Sequence, residues 1–398
     1  MEHIFFTASL WLGLAVVAAI IAYHLKVSIA LVEICVGVLA AAIMNHYGMG
    51  NLLNLNEEWL KFLASSGAVM LTFLAGAELQ PDVLRKKLKE AGVVGIIGLF
   101  APFVGCAIVA KYLLGWDTRA SLLAGIALST TSMAVVYAVM LETGLNQTEY
   151  GKGILAACFI NDLGTVIALG LLFAPFGVRT IVFIAITVVV LFLLPSFSHG
   201  IAKIYAGRTA AIRTKWIVMV VFALGSFALW SGSEAVLPAY LAGMVLAEFS
   251  NSDSFWLRRL RTLTVGFLTP FYFIRAGAFV SVSSLVAAPL VFLALFGGKV
   301  ASKIFGLFPF IKSFRKRQDE TWYYTLLMST GLTFGTISSL YGLTHNIIDQ
   351  TQYSLLVAAV IASAVIPTLI AGYFFLPSHL VPVQEPVGPV EEESLADE

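Results

Sequence analysis

Residues 150–173 read YGKGILAACFINDLGTVIALGLLF, an apolar run whose single acidic residue, Asp162, lies near its centre. About 20 apolar residues in a helix cross the roughly 30 Å hydrocarbon core of a bilayer, so this run is long enough to span a membrane. An aspartate at the middle of such a helix costs about 2.5–3.5 kcal/mol on insertion scales. The sequence therefore predicts a membrane helix that retains one costly carboxyl group for a functional reason.

Apolar runs of similar length fill most of the 398 residues. Hydrophobic residues make up 59% of the chain, charged residues only 12%, and mean hydropathy is +0.91. Soluble domains carry about 25% charged residues. We therefore expect an all-α integral membrane protein with about 13 transmembrane helices, the first of them retained rather than cleaved as a signal peptide. The predicted spans are residues 4–23, 27–46, 60–79, 91–112, 118–141, 150–173, 178–196, 214–231, 235–250, 262–282, 285–307, 322–341 and 353–376.

The basic residues between these spans predict the orientation. With the N-terminus outside, 17 lysine and arginine residues fall in cytoplasmic loops and 4 on the opposite side. An excess of Lys and Arg marks cytoplasmic loops, so we expect an outer N-terminus and a cytoplasmic C-terminus in the cell membrane. The acidic, proline-rich residues 380–398 have no apolar pattern to bury, and we expect a disordered cytoplasmic tail there.

The sequence contains no motif typical of a soluble catalytic domain. Walker A, HExxH and dinucleotide-binding patterns are missing, and the loops are short. Cys35, Cys106 and Cys158 lie far apart within apolar runs, which is typical of buried thiols rather than metal ligands. We therefore predict no enzymatic activity, no cofactor and no nucleic-acid partner.

The pair Asn161 and Asp162 predicts an ion site at mid-membrane depth. Carboxylate and amide oxygens are hard ligands for a partly dehydrated cation. The same carboxyl group can hold a proton instead, because a dry environment penalises its charged form. A group that binds either species, but not both, is what obligatory exchange requires. The alternative is a structural aspartate paired with a lysine.

Other ionisable residues also lie inside the predicted spans. Lys299 and Lys303 share one helix face at positions i and i+4, and the sequence leaves open which of them is buried. Arg275 is predicted either to compensate charge in an ion pair, for example with Glu248, or to line an access funnel. Glu33, Glu78 and Glu234 remain as ion-pair, gate or interface candidates.

Two spans contain polar interruptions at their centres. One holds the four consecutive hydroxyl residues Ser129, Thr130, Thr131 and Ser132. The other combines hydroxyl groups with glycines, at Ser329, Thr330, Gly331, Thr333 and Gly335. Broken helices at corresponding positions of two halves indicate a transporter site, because unwound backbone supplies ligands there. Hydroxyl groups that merely join helices are the alternative. An inverted repeat of spans 4–6 and 11–13 would bring Asp162 and Lys299 together.

Four motifs together resemble bacterial cation:proton antiporters of the Na⁺/H⁺ exchanger and K⁺-efflux type, over about residues 10–376. The motifs are LTFLAGAEL (71–79), LAGIALSTTSMAVVYAVMLETGLNQTEYGKGILAACFINDLGTV (123–166), YLAGMVLAE (240–248) and FLTPFYFIRAGAFV (267–280). The resemblance implies an NhaA-like fold with two discontinuous crossing helices and elevator-type alternating access in a homodimer. It implies a mobile core, at about 91–173 and 285–376, and a dimerisation scaffold, at about 1–79 and 178–282.

By position in these motifs, Asp162 matches the family's ion- and proton-binding aspartate, and Thr130 and Thr131 match the unwound helix beside it. Lys299, or else Lys303, matches the basic residue of the second half. Electrogenic members carry aspartate at the position of Asn161, paired with the lysine, whereas electroneutral members carry asparagine. Asn161 together with a lysine is a mixed combination, which favours one-for-one exchange and leaves two protons per cation as the alternative. Because no nucleotide-sensing domain follows the spans, Na⁺ or Li⁺ is favoured over K⁺. A K⁺/H⁺ antiporter, a cation channel and a Na⁺-coupled organic-anion symporter are the alternatives.

Overall fold

The structure, a computed structural model, is helical throughout the part of the chain that it describes. The described residues are 2–25, 29–77, 81–173, 177–205, 211–233, 235–248 and 254–381. Glu78, Glu234 and the predicted tail from residue 382 onward lie outside these ranges. No strand occurs within them, so the predicted all-α class is confirmed for the described residues.

Seventeen α-helices are described, and we number them in chain order. The first nine are α1 (Glu2–Leu25), α2 (Ile29–His46), α3 (Glu58–Ala77), α4 (Pro81–Ile108), α5 (Thr118–Ser129), α6 (Met133–Thr143), α7 (Glu149–Phe173), α8 (Val178–Ile204) and α9 (Ile212–Ser231). The others are α10 (Val236–Val245), α11 (Ser254–Leu263), α12 (Thr269–Ala278), α13 (Val282–Ala287), α14 (Pro289–Phe314), α15 (Gln318–Leu327), α16 (Thr333–Thr344) and α17 (Gln350–Phe374). A π-helical turn extends α4 over Val109–Leu113, and another joins α11 to α12 over Thr264–Leu268.

Nine helices in the described ranges are long and apolar enough to cross a membrane, which makes the chain a multi-pass membrane protein. They are α1, α2, α3, α4 with its π-helical turn, α7, α8, α9, α14 and α17. The predicted spans 118–141 and 322–341 are each divided into two short helices. The break between α5 and α6 covers residues 130–132, and the break between α15 and α16 covers residues 328–332.

The hydroxyl side chains explain why the helices end at these breaks. Ser129 Oγ donates to Ile126 O at 2.8 Å, and Thr130 Oγ1 donates to Ala127 O at 3.1 Å. In the second break, Ser329 Oγ donates to Thr325 O and Thr330 Oγ1 to Leu327 O, both at 2.8 Å. Such bonds give the carbonyl groups of the last turn a side-chain donor in place of, or beside, the next backbone N–H. The backbone can therefore unwind within a membrane-spanning segment.

The helices pack into two groups. In one group, α4 contacts α5, α7 and α14, and α16 contacts α5 and α17. In the other group, α2 contacts α1 and α12, and α3 contacts α10 and α12. The crossing of α2 and α12 requires glycine, because a Cβ on Gly37 would meet the carbonyl of Ile274 and one on Gly277 would meet that of Ile34. The first group contains both breaks.

A polar cluster fixes the turn between α14 and α15, which leads into the second break. Arg315 donates to Glu90 on α4, with Nε at 3.0 Å from Oε1, and its guanidinium lies 5.0 Å from the ring centroid of Tyr150. The hydrogen bond from Arg317 lowers the pKa of the Asp319 carboxyl. These contacts anchor the start of α15 on α4 and α7.

Candidate functional site

The two breaks lie against each other at the centre of the first helix group. Ser132 N donates to Thr330 O at 3.2 Å, and Thr131 Oγ1 donates to Met328 O at 2.8 Å. Each unwound stretch therefore satisfies polar groups of the other, as buried irregular backbone requires. The two interruptions that the sequence predicts separately form one continuous polar crossing.

Asn161 on α7 holds the first break in place. Its Oδ1 accepts a hydrogen bond from Thr131 N at 2.9 Å. Its Nδ2 donates to Ser129 O and to Gly95 O, each at 3.4 Å. The amide group thus uses both its donor and its acceptor in structural contacts between α4, α5 and α7.

The adjacent carboxyl group of Asp162 is buried without such contacts. The residue is 2% exposed, and Oδ1 has no hydrogen-bond partner among the described residues. No ion pair within the described ranges involves Asp162. Because burying an unpaired polar group costs about 1–3 kcal/mol in proteins and more when the group is charged, this arrangement destabilises the fold. A membrane protein that keeps such a group is a functional-site candidate.

Both candidate lysines are fully buried, at 0% exposure, and both reach the first break. Lys299 Nζ donates to Thr130 O at 3.3 Å, and Lys303 Nζ donates to Thr131 Oγ1 at 2.9 Å. The two amino groups therefore contact successive residues of the first break, the stretch that Asn161, next to Asp162, holds from α7. The basic face of α14 thus lies against this break.

The other predicted residues of the two interruptions are buried at the same crossing. A Cβ on Gly331 would meet Lys299 Nζ and Thr130 Oγ1, and a Cβ on Gly335 would meet Ala127 O. The remaining members are Ser132, Ser329, Thr330 and Thr333, which are 9% exposed or less. The structure thus brings together Asp162, Asn161, both lysines and both unwound stretches.

Arg275 lies elsewhere, on α12 in the second helix group. Its Nε donates to Leu55 O at 2.8 Å, and its guanidinium lies 4.8 Å from the ring centroid of Phe279. Glu248, its suggested partner, is exposed. Glu33 is buried, and both its oxygens are without a hydrogen-bond partner among the described residues. Glu78 and Glu234 lie outside the described residues.

Sequence reasoning does not identify Tyr240 on α10, which covers the site from the second helix group. Its hydroxyl donates to Phe159 O on α7 at 3.1 Å, and its ring stacks on Phe159 at 5.3 Å between centroids. The ring also contacts Phe334 on α16 at 6.0 Å. The sequence around this tyrosine does not indicate such a role, because the role arises only when α10 packs on α7.

Comparisons with known proteins agree with this architecture. The family described as "Sodium/hydrogen exchanger, transmembrane" matches residues 12–375. "Probable Na(+)/H(+) antiporter 3" of Methanocaldococcus jannaschii is 28% identical over 251 residues, which cover 60% of this chain and 63% of that protein. The glutathione-regulated potassium-efflux system protein KefC of Salmonella typhi is 24% identical over 359 residues, which cover 84% of this chain and 55% of that protein.

Among solved structures, the sodium proton antiporter MjNhaP1 from Methanocaldococcus jannaschii at pH 8 has a TM-score of 0.69 to this chain. The match covers 94% of this chain and 97% of that one at 16% sequence identity, so the likeness concerns the fold. The chain spans 63% and 55% of the lengths of the two relatives above. Because the family match extends over most of the 398 residues, this chain belongs to the sodium/hydrogen exchanger family of transmembrane proteins.

Proposed function

We propose that this protein is a secondary antiporter that exchanges a monovalent cation for protons, with Asp162 as the shared binding group. The observation that carries the proposal is the buried Asp162 carboxyl next to two unwound helices, whose Oδ1 is without a hydrogen-bond partner in the described part of the chain. Most buried carboxyl groups that serve only the fold are hydrogen-bonded or paired, and this one lies next to unwound backbone that can supply further ligands. An unpaired one can accept a cation or a proton in turn.

Competition for one carboxyl group accounts for the coupling. The ionised form of Asp162, with oxygens from the unwound stretch at Thr130, Thr131 and Ser132, offers the hard ligands that a small cation requires. The protonated form is neutral and needs no cation in a dry site. If each form crosses the membrane with its ligand, neither ion moves without the other. Lys299 and Lys303 would compensate the negative charge when the carboxylate holds neither ion.

One cation for one proton is the proposed stoichiometry. An amide does not titrate, and the hydrogen bonds of Asn161 already hold Thr131 N and Ser129 O. Asp162 is then the only carboxyl group at the described crossing that can release a proton. We propose Na⁺ or Li⁺ as the cation. A K⁺/H⁺ antiporter is the alternative, favoured by the match to a protein named for potassium efflux.

The proposed architecture has thirteen membrane spans in an NhaA-like inverted repeat. This number is reached by counting the nine long helices, the two broken ones, the apolar α10 and the continuous helix from α11 to α12. We propose a mobile core at about 91–173 and 285–376 and a scaffold at about 1–79 and 178–282. This division follows the two packing groups. An elevator movement of the core, a homodimer formed by the scaffold, an outer N-terminus, a cell-membrane location and a role in pH homeostasis complete the proposal.

The test is exchange by the purified protein in proteoliposomes, with a pH-sensitive dye inside and Na⁺, Li⁺ or K⁺ added outside. We expect Asp162→Asn to abolish exchange, because an amide binds neither a proton nor a cation tightly at neutral pH. The matched control is Glu33→Gln, which neutralises the other unpaired buried carboxyl group and should leave exchange intact. Undiminished exchange by Asp162→Asn would exclude Asp162 as the shared site.

The same vesicles distinguish the alternatives. One-for-one exchange proceeds equally with and without a clamped membrane potential, whereas an unequal stoichiometry responds to it. A channel would dissipate a cation gradient without moving protons. A symporter would require an organic anion before any Na⁺ moved. The ion that gives the largest dye response at equal concentration decides between Na⁺ or Li⁺ and K⁺.

A further inference from the structure

A continuous groove runs along one face of α2, between the two helix groups. Six α2 residues at helical spacing line it: Cys35, Val38, Leu39, Ala42, Asn45 and His46. The first three line an apolar cavity of about 490 Å³, and the last three line a second cavity of about 340 Å³. Val280 borders both cavities, so they are successive stretches of one groove.

The far wall of the groove belongs mainly to α14 and α17 of the first helix group. Phe292 of α14 and Ala358, Ile361 and Ala362 of α17 line the apolar stretch. Gln350, at the start of α17, lines the other stretch. The groove therefore separates α2 of the second group from α14 and α17 of the first. On α17 its lining residues lie on a different face from Ser363, which bonds to Gly331 O in the second break, and on α14 Phe292 lies two turns before Lys299.

The length of the groove matches one leaflet of a bilayer. From Cys35 to His46, α2 rises by about 16 Å at 1.5 Å per residue. The hydrocarbon core of a bilayer is about 30 Å thick, so one leaflet contributes about half of that. α17 runs a similar length along the groove, about 18 Å from Gln350 to Ala362. Both walls begin at the polar end of the groove and end near the membrane centre.

The chemistry of the groove changes along this length. The apolar stretch is lined by aliphatic and aromatic side chains together with Cys35. The second stretch is polar at its end, where it is lined by Asn45, His46, Ser281, Ser283 and Gln350. These side chains are neutral hydrogen-bonding groups plus one imidazole, and no carboxylate lines either stretch among the described lining residues. Such an end suits a phosphate oxygen, which accepts hydrogen bonds and would be repelled by an acid.

We propose that this groove is a binding site for one phospholipid of a single leaflet, with an acyl chain along Val38 and Phe292 and the phosphate at Asn45 and His46. An apolar groove at this depth is in contact with acyl chains, which fill it by van der Waals packing. The polar end fixes which way the molecule lies. With an outer N-terminus, the leaflet is the outer one.

Hydrogen bonds close the groove above this phospholipid site. Gln350 Nε2 donates to Phe279 O, and Ser281 N donates to Ser354 Oγ at 2.8 Å. These bonds join the end of α12 to the start of α17. A phospholipid below them fills the remaining space between α2 and α17, so it acts as a wedge between the two helix groups.

The test is native mass spectrometry of the full chain in mild detergent with 16:0/18:1 phosphatidylethanolamine. We expect one phospholipid per chain to be retained by the wild type. Val38→Trp and, from the opposite wall, Ala358→Phe fill the apolar stretch and should lower retention at least ten-fold. Ile43→Trp is the control, because Ile43 is 56% exposed on the same helix and lines neither cavity. Melting temperatures without added lipid identify any variant that fails to fold.

Equal retention by the wild type and by both filling variants that fold would overturn the proposal. Equal binding of detergent and phospholipid in the groove would also overturn the proposal. A second arm examines the phosphate. The wild type should prefer phosphatidylethanolamine over diacylglycerol with the same chains about ten-fold, and Asn45→Ala with His46→Ala should remove that preference. If diacylglycerol binds the wild type equally well, the polar end does not recognise phosphate.

Discussion

Asp162 and Glu33 are both buried carboxyl groups, and each has at least one oxygen without a hydrogen-bond partner in the described structure. Their surroundings differ. Asp162 follows Asn161, which bonds to the first break, and both lysines of α14 contact the same break. Glu33 lies on the regular helix α2, which packs on α1 and α12, and no ion pair among the described residues involves it.

This difference teaches that burial alone does not make an ion site. A cation that enters a membrane protein must exchange its water for several oxygens, and irregular backbone supplies them only where helices are broken. A nearby positive charge must also stabilise the carboxylate when the cation leaves. The surroundings of Asp162 contain both features, and those of Glu33 contain neither. We therefore expect changes around Asp162 to affect exchange and changes at Glu33 to affect stability alone.

The most damaging change that leaves Asp162 itself intact is Gly331→Val. A side chain there would displace Lys299 Nζ and press on Thr130, which pushes the two breaks apart. We expect exchange to fall at least about a hundred-fold and the melting temperature to drop, because overpacking costs about 1–3 kcal/mol. Gly297→Val on α14 is the control, since an added Cβ there would meet no described atom of another segment within 4 Å. If Gly331→Val exchanges normally, the crossing is not what distinguishes Asp162 from Glu33.

Asn161→Ala should have the next largest effect. It leaves Thr131 N buried without a partner, which costs about 1–3 kcal/mol. We expect exchange to decrease about ten- to a hundred-fold, measured by dye response in proteoliposomes. Thr165→Val is the matched control, because the Thr165 hydroxyl bonds only to Asn161 O within its own helix. Equal effects of the two variants would contradict the role of Asn161 in holding the first break.

Replacing the lysines should have the next largest effect on exchange, and the two replacements should differ in size. Lys303→Met removes the hydrogen bond to Thr131 Oγ1 at 2.9 Å. Lys299→Met removes a longer bond of 3.3 Å to Thr130 O. Since bonds to charged groups contribute about 1.5–3 kcal/mol, we expect about a ten-fold loss of exchange for Lys303→Met and a smaller loss for Lys299→Met. The reverse order would show that Lys299 compensates the carboxylate.

Much of the fold can be predicted from the sequence, because every span must have a similar length and an apolar composition. The nine long helices coincide with predicted spans to within a few residues, apart from α4 and the longer ends of α8 and α14. The breaks at residues 130–132 and 328–332 fall inside the hydroxyl-rich stretches for a local reason, since these side chains bond to the preceding turn. Local chemistry of this kind can be inferred without knowing what the helix contacts.

Contacts between distant segments could not be inferred in the same way. Spacing alone does not say that Lys299 bonds to Thr130 and Lys303 to Thr131, because both lysines lie on one face of α14. The sequence places Arg275 as a charge at mid-membrane depth. In the structure its side chain donates to a carbonyl in the loop after α2, and no periodic pattern specifies such a contact. Tyr240 is identified only once α10 is placed on α7. Each of these depends on tertiary packing rather than on local sequence.

The smallest effect on exchange should come from Glu33→Leu, and it completes the comparison. Leucine has nearly the volume of glutamate but carries no polar atoms, so it removes two buried oxygens that have no partner. We expect exchange within about two-fold of the wild type and a melting temperature about 1–3 °C higher, since an unsatisfied polar group costs about 1–3 kcal/mol. Glu33→Gln keeps a polar group of the same size and should leave the melting temperature unchanged. If both variants lost exchange, Glu33 would take part in transport, and a carboxyl group on a regular helix far from either break would then meet the same requirements as Asp162.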